Sequence, residues 1–126
     1  MNGFLISIED RPGVAAELFE AAARRGVNVF PAYGLGDGTR GLIVVGSEDE
    51  AGLQAAIADA GLRATPYEMV VTQLENKPGT GAALFRRLAD AGVDLRVAVP
   101  LGMEGGRVQI ALAADDAALL KRALGV

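Results

Sequence analysis

The chain has 126 residues and a net charge of −4, from 16 acidic and 12 basic side chains, and it contains neither cysteine nor histidine. These absences exclude disulfides, thiolate nucleophiles, Cys/His zinc sites and imidazole general bases. The acidic balance, with only four Phe and two Tyr as aromatics, argues against nucleic acid, which needs a basic stripe or stacking platforms. No apolar run approaches the ~18 residues of a membrane span, and no basic segment followed by a signal core opens the chain. A soluble, cytoplasmic protein with no membrane contact and no metal or cofactor is expected.

The short apolar run Phe4 to Ile8 reads as a buried strand. Asp10-Arg11-Pro12-Gly13 ends it: Pro12 fixes φ and lacks an N–H, Gly13 lets the chain turn, and Asp10 can accept from the amides that open the next helix. Val14, Leu18, Ala21 and Ala22 then follow helical spacing as far as Arg25, and Gly26 is the stop. Val27 to Tyr33 reads as a strand, and Pro31 within it argues for an edge position.

Gly34 to Thr39 reads as a turn around Asp37-Gly38, leading to a strand from Arg40 to Gly46. Its glycines are not a phosphate cradle, because no Gly-Lys-Ser/Thr follows. Ser47-Glu48-Asp49-Glu50 fits a capping box with Ser47 as N-cap, better than it fits a metal site, and the helix runs to about Ala60 before Gly61. A fourth strand, Arg63 to Tyr67, passes without a linker into a fifth, Met69 to Leu74.

From that point the order repeats. Pro12-Gly13 recurs as Pro78-Gly79, 66 residues on, and Gly26-Val27-Asn28-Val29 recurs as Gly92-Val93-Asp94-Leu95. A helix from Thr80 to Ala91, a strand from Val93 to Val99, a turn around Gly102 to Gly106, a strand from Arg107 to Ala113 and a helix from Asp115 to Leu124 complete the second copy. The expected fold is α+β, built of tandem ferredoxin-like βαββαβ repeats, each an antiparallel sheet with both helices on one face. Domain boundaries fall at 1–67 and 68–126, and the second repeat lacks its last strand. In the usual order, four-one-three-two, the second strand lies at an edge, in agreement with Pro31. The first strand of the second copy is then left with an open edge, which either a second molecule or the long Leu62 to Leu74 strand itself is expected to cover, with a homodimer the preferred solution.

The run Asp10-Arg11-Pro12-Gly13-Val14-Ala15-Ala16, followed by Glu20-Ala21 and Gly26-Val27-Asn28-Val29, resembles the ACT domain, particularly the form in the regulatory part of aspartate kinases. Asn76-Lys77-Pro78-Gly79 with Gly92-Val93-Asp94-Leu95 resembles a diverged ACT domain, so the whole resembles small stand-alone proteins made of two tandem ACT domains. The resemblance implies a regulatory role: such domains pair side by side and hold an amino acid at the loop after the first strand and the start of the second.

The residues so placed suit an amino acid, which presents a carboxylate and an ammonium about 3 Å apart. Helix-opening amides at Gly13, Val14 and Ala15 can serve the carboxylate. Asp10 can accept from the ammonium, and Asn28 can contact either end. Pro12 and Gly13 shape the loop in either case. Asp10 is equally readable as a simple cap, Asn28 as a turn residue and Arg11 as a solvated surface group. In the second copy the matching candidates are Asn76, Gly79, Thr80, Gly81 and Asp94; the carboxylate of Asp10 is replaced by Asn76, so equal occupancy of two loops is not expected. Phe30, Tyr33 and Leu35 either line a ligand pocket or fill core, and the apolar surroundings lean slightly toward an aliphatic or aromatic amino acid.

Three functions compete. The first is a non-catalytic amino-acid sensor acting on a partner such as a metabolic enzyme. The second is a ligand-free assembly or regulatory subunit of such an enzyme. The third, an acyl-phosphate hydrolase using Arg11 and Asn28, lacks the Gly-x-Val-Gln-Gly-Val loop of ferredoxin-like enzymes of that kind, and Pro12 stands where a phosphate cradle needs free amides.

Overall fold

A computed structural model describes residues 1–126. The elements run β1 (Asn2–Glu9), α1 (Val14–Arg24), β2 (Ala32–Gly36), β3 (Arg40–Gly46), α2 (Glu50–Asp59), β4 (Ala64–Glu68), β5 (Val70–Glu75), α3 (Thr80–Asp90), β6 (Leu95–Glu104), β7 (Arg107–Ala114) and α4 (Ala117–Leu124). The fold is α+β, with two antiparallel sheets in the ferredoxin-like order. Two compact units result, Met1–Tyr67 and Glu68–Val126. No helix is long and apolar enough to cross a membrane.

In the first unit the sheet order is β2-β3-β1-β4. Phe4, Ile6 and Val45 on the sheet pack with Leu18, Ala21 and Leu53 of the two helices in one cluster, so α1 and α2 cover the same face. In the second unit the order is β5-β7-β6. Leu112 on its central strand, Leu88 on α3 and Leu120 on α4 form the corresponding core.

The Pro-Gly turn has one conformation in both units. Gly13 (φ 95°) and Gly79 (φ 91°) are the N-caps of α1 and α3, in the left-handed region where a Cβ is unfavourable. A glycine at this position turns the chain from strand to helix without any side-chain cap. Asp10 is therefore not the cap it was expected to be.

Four further expectations are corrected. Ser47 does not cap α2. Asp49 does, accepting from the Gly52 amide at 2.9 Å, while the buried Ser47 hydroxyl donates to the Asn28 carbonyl at 2.7 Å. A buried hydroxyl must find a partner inside, and the Asn28 carbonyl is the one at hand. Gly34 and Gly36 belong to β2, paired with Ile43 and Gly41, because the hairpin needs only Asp37, Gly38 and Thr39 to reverse. Strand β2 begins after Pro31, not at Val27. The proline lacks a donor, and its ring lies where a side chain on Gly46 would stand, 2.9 Å from an ideal Cβ there. Pro100 lies inside β6, not past its end, and an irregularity between Pro100 and Gly102 accommodates it on that edge strand.

Candidate functional site

The β1–α1 loop is tied to the β2–β3 hairpin through one residue. The Asp10 amide donates to the Thr39 carbonyl at 3.0 Å, and Asp10 Oδ2 accepts from the Gly38 amide at 2.8 Å. The carboxylate passes so close to Gly36 that a Cβ there would stand 2.4 Å from Oδ2. The hairpin is reinforced from inside by Asp37, whose Oδ1 accepts from Thr39 and Arg40 amides at 2.9 and 2.8 Å. Those bonds, the one from Arg40 foremost, hold the Asp37 carboxyl below its ordinary range.

Beyond Asp10, Arg11 reaches Glu17 at 3.3 Å with both groups about half exposed, and contacts the Pro12 carbonyl at 3.4 Å. Pro12 and Gly13 make the turn. Val14 and Ala15 open α1, where amides have no acceptor four residues back. Val14 buries its side chain and Ala15 exposes its own.

The second unit closes its loop differently. The Asn76 amide donates to the Gly106 carbonyl at 2.8 Å, matching Asp10, but its side chain turns to Met103 Sδ at 3.1 Å. The Thr80 hydroxyl donates back to the Glu75 and Lys77 carbonyls, at 2.7 and 3.0 Å. Gly79 is the cap, and Gly81 lies in the first turn of α3 with open space beside it.

Asn28 and Asp94 are not near these loops within their own units. Glu9 pairs with Arg40 at one end of the β1–β3 ladder, and Gly3 with Gly46 at the other. Asp10 adjoins the first end, at Thr39, whereas Asn28 adjoins the second, through Ser47. Six residues of strand separate those rungs, or ~20 Å. A molecule of amino-acid size held by Asp10 does not reach Asn28 of the same unit. Asn28 instead borders a cavity of about 350 Å³ with Phe30, Glu48 and Asp49. Asp94 pairs with Arg96 at 2.8 Å, and Arg96 in turn meets Asp115 at 3.0 Å, beside a smaller cavity of about 200 Å³.

Four residues that sequence reasoning passed over, Ser7, Glu9, Arg40 and Arg63, stand at the first loop. A cavity of about 370 Å³ is lined there by Arg11 and Val14 of the candidate set together with Ser7, Glu9, Arg40 and Arg63. Arg40 Nη2 donates to Ser7 Oγ at 2.9 Å. The usable signal was register: Arg40 opens the strand that must pair with Glu9, so it had to stand beside the loop.

No protein-family model and no curated protein matches the chain. Solved structures do. The regulatory subunit of aspartate kinase from Thermus thermophilus is 23% identical over 98% of this chain and 89% of that one, with a TM-score of 0.63. That from Thermus flavus is 22% identical over the same shares, with a TM-score of 0.65. The chain carries the ACT fold. The protein BT0572 from Bacteroides thetaiotaomicron shares that fold with a TM-score of 0.79 at 16% identity, over 98% of this chain and 85% of that one. Within the ACT fold, the Pro-Gly loop and the arginine-lined cavity lie together at one end of the first sheet.

Proposed function

We propose that this protein is a non-catalytic, cytoplasmic regulatory module of two ACT-like domains, residues 1–67 and 68–126, that binds a free amino acid at the first β1–α1 loop and acts on a partner protein. The observation that carries the reading is that 98% of the chain aligns with aspartate kinase regulatory subunits, with the Pro-Gly loop in the same conformation in both units. The reading is supported by a cavity of about 370 Å³ that Arg11 and Val14 of this loop border. Asp10, whose carboxylate is taken by Gly38, holds the loop in shape in this reading.

A thermal-shift screen against the twenty amino acids tests it. A binder present at 100 times its Kd stabilises by about 2.7 kcal/mol, a shift of several degrees for domains of this size. A selective shift from one or a few amino acids is the expected result. No shift from any of them overturns the reading in favour of a ligand-free assembly subunit of a metabolic enzyme.

The same proposal includes a homodimer. Strand β5 lies at the edge of its sheet, and its sequence Val-Val-Thr-Gln-Leu-Glu contains no proline or lysine to discourage pairing. Light scattering at micromolar concentration is expected to give twice the 12.9 kDa chain mass; a strictly monomeric mass overturns this part.

A further inference from the structure

The cavity beside the first loop reverses the sign of the chain around it. Net charge over the whole sequence is −4, yet this lining carries three arginines, Arg11, Arg40 and Arg63, and a single carboxylate, Glu9. Three separate segments supply the arginines: the β1–α1 loop, the first residue of β3, and the turn between α2 and β4. Arg40 is oriented by Ser7, with one Nη on the hydroxyl at 2.9 Å. Arg11 is already paired, its two Nη groups donating to the Glu17 carboxylate at 3.5 and 3.3 Å, in a half-exposed bridge of the kind that contributes little stability. Arg63 engages no acceptor.

Guanidinium groups grip carboxylates through two parallel hydrogen bonds, and that planar geometry is what distinguishes them from lysine. The geometry points to a dicarboxylic amino acid as the ligand of this cavity, its two carboxylates on the arginines and its ammonium on Glu9. This rests on the reading of the chain as an amino-acid-binding module and narrows it, away from the aliphatic or aromatic ligand that the sequence favours. With Arg11 paired to Glu17, Arg40 and Arg63 against Glu9 leave a net charge of +1, which complements a ligand of net charge −1. A neutral amino acid gives the arginines only one carboxylate to share.

The second unit does not repeat the arrangement. Arg107 stands opposite Glu75 and donates to Gln73 at 3.2 Å, as Arg40 stands opposite Glu9 and donates to Ser7, but it is the one arginine in the cavity it lines, where it is balanced by Glu104. Lys77, in the place of Arg11, pairs with Glu75 at 2.6 Å, and no counterpart of Arg63 lines that cavity. One ligand per chain is therefore expected, in the first unit.

Isothermal titration of the full chain tests the assignment, with L-glutamate, L-aspartate, their amides, L-leucine, succinate and inorganic phosphate as probes. An acidic amino acid is expected to bind at least about tenfold more tightly than its amide, succinate or phosphate, at one site per chain. Arg63→Gln and Arg40→Gln are each expected to weaken it about tenfold or more, the effect of losing one charge-assisted pair. Arg107→Gln serves as the control that leaves it unchanged, with circular dichroism confirming the fold of each variant. Tighter binding of leucine or an amide overturns the acidic assignment and leaves the amino-acid reading standing. Equal binding of phosphate or succinate overturns it in favour of an unselective anion patch. Undiminished binding by Arg63→Gln and Arg40→Gln removes the ligand from this cavity, and no binding here together with no shift in the thermal screen of all twenty amino acids overturns both readings.

Discussion

Leu18→Ala is expected to destabilise the first unit by about 2–5 kcal/mol, the cost of removing a fully buried leucine and leaving a cavity. Leu18 is 0% exposed and packs at the centre of the cluster between α1, α2 and the sheet. A unit of this length commands only about 3–10 kcal/mol in total, so the loss is a large fraction of what holds it folded. At about 4–8 °C per kcal/mol, melting followed by circular dichroism is expected to show a drop of 10 °C or more, or loss of the folded unit outright. Phe19→Ala, one residue on but 42% exposed, is expected to cost much less. Equal effects from the two would mean that α1 does not present the face described here.

Gly41→Ala is the second large effect, and it acts through backbone, not through core. Gly41 is buried in β3 between Ile8 on one side and Gly36 on the other. A Cβ built on it stands 2.9 Å from the Leu35 carbonyl oxygen and 3.4 Å from Ile8 Cγ1. The carbonyl belongs to the neighbouring strand and cannot rotate away as a side chain would, so β2 must separate from β3. Overpacking of this kind costs about 1–3 kcal/mol. Gly102→Ala is the matched control: it too lies in a strand, with nothing within 4 Å of an ideal Cβ, and its melting temperature is expected to stay near that of the parent. A parent-like Gly41→Ala would show that the β2–β3 pairing is looser than the register implies.

Much of the fold was legible because its signals are local or repeated. The Pro-Gly turn and the glycine stops Gly26 and Gly92 occur twice in register, and the structure bears them out in both units, while the helical spacing of Val14, Leu18, Ala21 and Ala22 marks the buried face of α1. The misreadings arose where a tertiary contact outweighs a local preference. Ser47 has the residue type of a cap, but burial commits its hydroxyl to the Asn28 carbonyl, and Asp49 takes the role. Asp10 likewise looks like a cap, and a contact 28 residues away claims its carboxylate. Glycine density made Gly34 and Gly36 look like turn, although glycines in a strand also mark close approach of another group, here Asp10 to Gly36.

The candidate site was legible as a loop and illegible as a cavity. Arg11 and Val14 were named from the repeated motif. Arg40 and Arg63 were not, because they come from other parts of the chain and only sheet pairing and the return from α2 bring them in. Asn28 and Asp94 were grouped with the loops on the strength of the family resemblance. The strand lengths set them at the far ends of their own sheets, a separation that the motif alone does not reveal.

Asp10 has one consequence for signalling. Its amide and its carboxylate both grip the β2–β3 turn, and β2 is the outermost strand of its sheet. The loop that borders the arginine-lined cavity and the rim of the sheet are therefore two arms of one lever with Asp10 as its pivot. In the proposed reading, a ligand that displaces the loop would move the rim through these two hydrogen bonds and not through the packed interior. In that same reading, the rim strand is where a partner would sense whether the cavity is filled.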